Sequence, residues 1–598
     1  MTAHDAKRAR AGACSTCRSR KRRCTPGSKG DTCQLCHLLS VPCSLDYTRR
    51  PARVAVQSAS GRENPTPDRM PLSWEPDFSE ALKTHEVLHE LVGLYFRHIH
   101  NIAHTMFHEP SFMHHMREGT ASMKHVYGMC ALAARFSKNP IFHDISPCSR
   151  GKVYAFQAMR LCRQCTDTPS LETIQALLLI GYFFSGEVDH QRKHIYVGLA
   201  RLHAEALSLW GSATQSSSNA VIQEEYRRTC FSVRIATHWS ASDMFMEPED
   251  TCRSSEMVPE IDDVLFHTLT SAELLRKTPL APTFRCDMWA QMARTLDIFT
   301  KINGLLRQLS RGAITLNDYC QEAPILEDRL NQWYENLPEH LTYSYDHLIF
   351  FLERHLGRTF LSMHIGYYHF RQMLFFPFLK AGVGREATTT EPKAAKCNES
   401  AATVSEILNY ATSLENCELD YFIYGHIAVV SSCVHLHSLL FSDDLSELFM
   451  ARQRLILNFK FLMRVKSYWP IVDSSVSRLR TFQNSCRNSM SDPFALDNWM
   501  ARFLTEHSSC LAERQTHDSL SSSFGVERLS TQSAEYNAEL SGIAQSSGIL
   551  NTPNPGALEG SQLKEPENAW DGLSYLMNDQ SITNEALADN AIDWLLKD

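Results

Sequence analysis

The sequence predicts a mostly α-helical protein with a small N-terminal binuclear zinc cluster module, a large all-helical domain and a disordered C-terminal tail. Six cysteines near the N-terminus form a repeated pattern that is typical of a metal site. From residue 73 to 490, apolar residues recur at spacings of three and four, which indicates amphipathic helices. Residues 508–564 are rich in Ser, Gln, Asn and Gly, a composition that cannot form a packed core.

Length and charge favour several structural units of unequal character. The chain has 598 residues, more than one core of ordinary size can organise. Its hydrophobic content of 43% and charged content of 21% are typical of a soluble globular protein. The net charge is −8, yet residues 1–55 carry twelve Lys or Arg against three Asp or Glu. A basic head on an acidic body is suited to local binding of nucleic acid.

The sequence also indicates a compartment. No N-terminal apolar run marks a secretory signal, and the most apolar stretch, 174–184, is too short to span a bilayer. We therefore expect no membrane association. Scattered free cysteines fit a reducing compartment. The basic residues Lys7, Arg8 and Arg10, together with the run from Arg18 to Arg23, are typical of a nuclear import signal, which predicts the nucleus.

The cysteine element consists of two copies of C-x-x-C-(x)6-C joined by eight residues. Zinc prefers a tetrahedral, sulfur-rich ligand shell. Six thiolates fill two tetrahedra only if two sulfurs are shared, so the number and duplication of the cysteines predict a cluster of two zinc ions. The predicted ligands are Cys14, Cys17, Cys24, Cys33, Cys36 and Cys43.

Between the second and third cysteines, five of six residues are cations. Held between two metal ligands, such a run is suited to the phosphates and guanine edges of double-stranded DNA. A disulfide framework and a zinc module that binds proteins are weaker alternatives, since the first needs an oxidising compartment and the second needs no arginine run. The predicted DNA-binding residues are Arg18, Arg20, Lys21, Arg22 and Arg23.

The segments ACSTCRSRKRRC and CQLCHLLSVPC resemble the two halves of the fungal binuclear zinc cluster transcription factors. The resemblance implies that residues 14–46 form a DNA-binding domain in which Cys14 and Cys33 bridge the two zinc ions. It further implies that Arg20 and Lys21 read a CGG-like triplet in the major groove, while the other three cations of the run meet phosphate.

The segments that flank the cluster carry little structural signal. Residues 1–13 are predicted to be a disordered basic tail. Residues 47–72 are polar and contain prolines and serines, which predicts a linker. Residues 44–80 contain no heptad repeat, so a coiled-coil dimer is not predicted. Monomeric binding and a homodimer formed through the helical domain both remain open.

Residues 73–490 are predicted to form one all-helical domain. Five segments in this range, LVGLYFRHIHNIAHTMFHEPSF, YVGLARLHAEALSLW, MVPEIDDVLF, FLSMHIGYYHFRQMLFFPFL and YWPIVDSSVSRLR, resemble successive landmarks of the regulatory domain that accompanies fungal zinc clusters. The resemblance implies a fungal transcription factor regulatory domain. Phe231, Thr237 and the pair Phe376-Pro377 depart from the tryptophan, aspartate and Arg-Pro that are usual at these positions.

The C-terminal part is predicted to hold three further segments. Residues 491–507 form an amphipathic helix, 508–564 a disordered linker, and 565–598 an acidic and aromatic activation segment. Acidic residues keep neighbouring apolar side chains solvated, so a coactivator groove can take them as a helix that forms on binding. The segment that fits this description best is IDWLLKD, which contains Ile592. The alternative is a C-terminal helix docked on the domain.

Two other motifs allow a different interpretation of the protein, as a zinc-dependent hydrolase or as a redox or metal-binding protein. His85, Glu86 and His89 match H-E-x-x-H, the motif of zinc proteases. The Gly and third His of the extended motif are absent, and the nearest acidic candidate, Glu109, lies in a landmark segment. We therefore favour an ordinary helix turn in the domain.

Cys162 and Cys165 form a further C-x-x-C, with no second pair nearby. We interpret them as core residues rather than a redox or metal site. Together, these observations predict a sequence-specific DNA-binding factor that regulates RNA polymerase II transcription and is not an enzyme. An activator that binds coactivators through its tail is favoured; a repressor and a zinc-dependent hydrolase are the alternatives.

Overall fold

The computed structural model describes the helical part of the chain and part of its C-terminus. The described residues are 79–102, 104–209, 219–243, 259–270, 272–273, 285–379, 392–488, 498–506, 583, 586, 588–590 and 592–593. Across these ranges the structure contains helices and no strand, apart from one isolated bridge between His100 and His104. The prediction of a mostly α-helical protein is confirmed. The predicted zinc module lies outside the described residues.

The first half of the domain begins with a 3-10 turn at Glu80–Lys83. The α-helices that follow are α1 (His85–His98), α2 (Glu109–Arg117), α3 (Met123–Ala133), α4 (Pro147–Arg150), α5 (Lys152–Arg163), α6 (Leu171–Gly186), α7 (His190–Ala206), α8 (Ala220–Asp243) and α9 (Asp263–Thr268). Side chains fix several helix starts: the Thr84 hydroxyl accepts from the backbone N–H of Val87, and the Ser170 hydroxyl accepts from that of Thr173.

The second half continues in the same way. Its helices are α10 (Met288–Ser310), α11 (Leu316–Glu335), α12 (Tyr345–Leu352), α13 (Gly357–Phe375), α14 (Pro392–Ser413), α15 (Ile423–Phe441), α16 (Leu445–Lys466), α17 (Ile471–Asn488) and α18 (Asn498–Thr505). A capping box formed by Thr315 and Asp318 starts α11, which satisfies two backbone donors at its N-terminus.

Two apolar helices form the centre of the fold. Helix α6 is buried from Thr173 to its end and packs between α3 and α7. Helix α15 is in contact with α14, α16 and α17 and is buried on almost every side. A helix without a polar face is one that neighbours surround completely.

Helix α15 is longer than the 174–184 stretch that the sequence singled out as most apolar. By length and composition, its residues Ile423–Phe441 could cross a membrane. Its apolar composition is explained by packing in the core, because 89% of its most apolar 18-residue stretch is buried inside the domain. It is the one helix of the described residues that meets the length and composition test.

The short helix near residue 500 has a defined place in the domain. The sequence predicted an amphipathic helix over 491–507, and α18 covers Asn498–Thr505. Its Phe503 ring lies 5.5 Å from that of Phe482 on α17, and the Arg478 guanidinium donates to the Phe503 carbonyl. The apolar face that the pattern indicated therefore packs against α17 and α10.

Candidate functional site

The predicted DNA-binding module lies outside the described residues. The chain divides into two units, Met1–Pro71 and Leu72–Asp598, and the predicted zinc ligands and cation run all fall in the first. The six cysteines from Cys14 to Cys43 and the run from Arg18 to Arg23 therefore stay predictions. The residues that can be placed belong to the second unit.

The H-E-x-x-H motif lies at the exposed start of α1. The ring centroids of His85 and His89 are 5.9 Å apart, as expected for residues one helical turn apart. The Nε2 atom of His85 is 3.1 Å from the carbonyl oxygen of Met116, and Glu86 is exposed. Within the ranges that the structure covers, no group of three His, Cys, Asp or Glu side chains converges as a metal ion would require. The geometry is that of an ordinary helix turn.

The second C-x-x-C pair lies at the end of α5. Cys162 is buried, and burial raises the pKa of its thiol to about 12, so the thiol stays protonated at neutral pH. Cys165 is partly exposed, and its sulfur lies 3.8 Å from the ammonium of Lys124. Both cysteines are free thiols. A protonated, buried thiol is a poor nucleophile and a poor metal ligand, in agreement with the core interpretation.

A buried ion cluster joins α8 to the segment before α10. The Arg228 side chain donates to Glu224 Oε1 at 2.8 Å and to Asp263 Oδ1 at 2.8 Å. It also donates to the Thr105 hydroxyl at 3.0 Å. All three charged side chains are at most 1% exposed. MVPEIDDVLF contains Asp263 and LVGLYFRHIHNIAHTMFHEPSF contains Thr105, so the cluster connects two landmark segments through one arginine.

Burial shifts the pKa values of three titratable groups in and beside this cluster towards their neutral forms. Burial raises the pKa of Asp263 to about 6, against the opposing effect of Arg228. Burial raises the pKa of Glu225 to about 7, although its carboxylate accepts from the backbone N–H of His108 at 2.8 Å. Burial also lowers the pKa of His108 to about 4. The sequence analysis missed this cluster; the i, i+4 pair of Glu224 and Arg228 on a helix was the signal that could have indicated it.

Part of the predicted activation segment lies against α17. Ile592 is fully buried and Ala588 is 1% exposed, and both belong to the hydrophobic core. The carboxylate of Asp593 pairs with Arg480 of α17. Gln483 of the same helix donates to Asp589 Oδ1 at 2.8 Å. The described residues of this segment thus form a helix docked on the domain, the arrangement that the sequence left as the alternative.

The residues at the positions that depart from the landmark pattern make ordinary contacts within the domain. Phe231 is 1% exposed, and its ring meets that of Trp289 edge to face at 5.7 Å. The Thr237 hydroxyl donates to the Val233 carbonyl at 2.8 Å within α8. The Phe376–Phe378 segment forms a buried 3-10 turn directly after α13. Phe231 and Phe376 therefore belong to the core, whereas the Thr237 hydroxyl is satisfied within its own helix.

Comparison with known proteins finds a family match within this domain. Residues 92–246 match the fungal specific transcription factor domain. That range runs from α1 to just beyond α8 and includes most of the charged cluster around Arg228. The chain also resembles curated fungal proteins over more than half of its own length.

Three such relatives illustrate the range. The Zn(2)-C6 fungal-type transcription factor FTF1c of Fusarium oxysporum is 25% identical over 446 residues, which cover 69% of this chain and 47% of the relative. FTF2 of the same fungus is 25% identical over 477 residues, which cover 75% of this chain and 43% of the relative. The transcriptional activator protein acu-15 of Neurospora crassa is 22% identical over 316 residues, covering 51% and 32%. The chain spans less than half the length of these relatives. No solved structure matches it significantly.

Proposed function

We propose that this chain is a fungal transcription factor of the Zn(2)-C6 type and a sequence-specific DNA-binding regulator of RNA polymerase II transcription. The observation that carries the proposal is the duplicated C-x-x-C-(x)6-C pattern with five cations between its second and third cysteines. Its occurrence in one chain with a fungal specific transcription factor domain supports a role in the nucleus.

The proposed DNA reader is a cluster of two zinc ions held by the six cysteines from Cys14 to Cys43. The donor set fits zinc, since thiolates are its preferred ligands and six of them complete two tetrahedra when two sulfurs are shared. Arg20 and Lys21 donate to the O6 and N7 atoms of guanine in a CGG-like triplet. Arg18, Arg22 and Arg23 neutralise phosphates and supply affinity that depends on salt concentration.

The proposed output is activation through residues 565–598. One relative is named a transcriptional activator, and the acidic, aromatic composition of this segment suits a coactivator groove. Ile592 is buried against the domain, so a coactivator reaches it only after the segment leaves α17. Deleting residues 565–598 should abolish reporter activation and leave DNA binding intact. Loss of repression after the same deletion would instead identify a repressor.

The test of DNA reading is selection from random duplex DNA by the full chain, with and without a zinc chelator. Enrichment of CGG-like triplets that the chelator abolishes is the expected result. Arg20→Ala and Lys21→Ala should each cost about 1–3 kcal/mol on the selected site and less on random DNA. Lys29→Ala, which removes a cation outside the run, is the matched control. Equal weakening on both DNAs, or no enrichment, would contradict base reading.

A further inference from the structure

A cavity of about 130 Å³ lies inside the helical domain, between α6, α7, α8, α10, α13 and α15. Its walls are mainly apolar and aromatic, with Phe231 and Trp239 from α8, Phe370 from α13 and Phe422 near the start of α15. An apolar cavity of about 150 Å³ is known to take a molecule the size of benzene. The space is therefore close to the size that accommodates a benzene ring and far larger than one water molecule needs.

Two hydrogen-bond donors in this wall have no partner in the part of the chain that the structure describes. Trp289 is 1% exposed and Tyr421 is 2% exposed, and both side chains line the cavity. Neither the indole N–H of Trp289 nor the hydroxyl of Tyr421 has a hydrogen-bond partner within the described residues. A buried donor left without an acceptor costs about 1–3 kcal/mol. Two such donors at one cavity therefore point to an occupant that carries acceptors.

The hydroxyls of two other tyrosines in this wall do have hydrogen-bond partners, unlike that of Tyr421. The Tyr182 hydroxyl donates to the Ser232 carbonyl at 3.3 Å, and the Tyr424 hydroxyl donates to the Ile102 carbonyl at 2.9 Å. These hydroxyls are satisfied by the protein itself. Burial raises the pKa of Tyr421 well above its ordinary value, so its hydroxyl stays a donor at neutral pH.

The polar groups of the wall also favour an acceptor. No carboxylate is among the lining residues that the structure describes. Unpaired donors attract oxygen atoms with lone pairs. A cationic ligand would find no carboxylate among these lining residues to pair with its charge.

We propose that this cavity binds a small aromatic molecule that carries an oxygen acceptor, either a ketone or a carboxylate. Its ring lies among Phe231, Trp239 and Phe370, and its oxygen accepts the hydrogen bonds that Trp289 and Tyr421 leave unmade. The helical domain is then a ligand-binding domain as well as a scaffold. This inference does not depend on DNA reading, because it rests only on residues of the second unit.

The test is calorimetric titration of the full chain, without DNA, with three probes of similar size. Acetophenone offers a neutral oxygen acceptor, benzoate an anionic one, and ethylbenzene none. We expect acetophenone or benzoate to bind saturably with a Kd at least about fivefold below that of ethylbenzene, since one net hydrogen bond is worth about that factor. Whichever of the two binds more tightly identifies the ligand as neutral or anionic.

Variants that remove a donor make the test specific. Tyr421→Phe removes only the hydroxyl, so it should weaken the oxygen-containing probe about fivefold and leave ethylbenzene unchanged. Trp289→Phe also shortens the ring, so its expected effect is an about fivefold smaller preference for the oxygen-containing probe over ethylbenzene. Trp333→Phe is the matched control, because the indole N–H of Trp333 is also buried and unpaired but the residue does not line the cavity. It should leave all three affinities unchanged. Thermal unfolding of each variant verifies its fold, and Tyr421→Phe should fold normally since it removes an unpaired hydroxyl.

Two results would overturn the proposal. Absence of saturable binding by every probe would mean that the cavity holds water only. Equal affinity for all three probes, unaffected by Tyr421→Phe and Trp289→Phe, would mean that the donors do not select an acceptor. Neither result would bear on DNA reading, which the selection experiment tests separately.

Discussion

The guanidinium carbon of Arg135 lies 3.8 Å from the centre of the Trp469 indole ring, although 334 positions separate the two residues. Both side chains are fully buried. Arg135 also donates to the Tyr468 carbonyl at 2.8 Å and to Glu187 Oε1 at 3.3 Å. Gly186 permits this approach, because a Cβ there would clash with the Trp469 ring. One cation thus ties the ends of α3 and α6 to the turn before α17.

Replacing this arginine should destabilise the domain strongly. Arg135→Leu removes the cation–π contact and leaves Glu187, which is 12% exposed, without its ion-pair partner. Breaking a buried pair from one side costs about 3 kcal/mol or more. Chemical denaturation of the full chain measures the loss. Lys138→Ala, a nearby change on the surface, should cost less than about 0.5 kcal/mol. A loss below about 1 kcal/mol for Arg135→Leu would show that the stacked arginine is not a structural anchor.

Removing zinc should abolish DNA binding by the proposed zinc cluster without unfolding the helical domain. A chelator should abolish DNA binding and leave the helical circular dichroism signal nearly unchanged, because the helical core is held by apolar burial. Metal analysis should give two zinc ions per chain, and Cys14→Ala should lower that number. Cys162→Ala, which changes a buried thiol outside the cluster, should retain two. Retention of two zinc ions by Cys14→Ala would contradict the assignment of Cys14 as a bridging ligand.

Acidification should unfold the helical domain, because burial lowers the pKa of many of its histidines far below about 6.5. The folded state then takes up no proton at pH 5.5, whereas the unfolded state does. The stability that these groups provide is present above pH 6.5 and is lost as pH falls from 6.5 towards their folded pKa values. Each of these histidines lowers the free energy of unfolding by about 1 kcal/mol as the pH falls from 6.5 to 5.5. The folded pKa is about 3 for His104, His364 and His435 and about 4 for His125 and His437.

Four described carboxyl groups act in the opposite sense, because burial raises the pKa of Glu109 and Glu187 as well as those of Glu225 and Asp263. Burial raises the pKa of Glu225 to about 7 and of Asp263 to about 6, so their contribution is lost as pH rises through those values and recovered on acidification. The histidines outnumber them, and we expect the free energy of unfolding at pH 5.5 to lie several kcal/mol below that at pH 7. Urea titrations at the two pH values measure the difference. His364→Gln should reduce it by about 1 kcal/mol, and His143→Gln, at an exposed site, should not; equal stability at both pH values would refute the argument.

The sequence predicted the helices of this domain well because the periodic positions are the buried ones. Val87, Leu88 and Leu91, which indicated a helix, lie on the buried face of α1. Periodicity identifies that face but not the helix that covers it. The contact of Arg135 with Trp469 therefore could not be predicted, and neither could the meeting of Trp289 and Tyr421 at one cavity.

The C-terminal segment shows the same limit in another form. Its composition is compatible both with a solvated activation segment and with a docked helix, because each needs an apolar face flanked by acids. Only the position of Arg480 and Gln483 on α17 distinguishes them, since these side chains meet Asp593 and Asp589. That complementarity depends on two segments about one hundred residues apart, and no local pattern encodes it.

Reversing the charge of Arg480 should release the docked tail without unfolding the domain. Arg480→Glu replaces attraction to Asp589 and Asp593 by repulsion, while an exposed ion pair contributes only about 0–1 kcal/mol to the domain itself. Hydrogen exchange of residues 586–593 should accelerate about tenfold, as expected for a local opening that is about 1.4 kcal/mol easier. Reporter output should rise, because a released activation segment is accessible to a coactivator. Arg117→Glu, at an exposed site on α2, controls for charge. Unchanged exchange in Arg480→Glu would show that the buried Ile592 alone holds the tail, and unchanged output with faster exchange would show that docking does not limit activation.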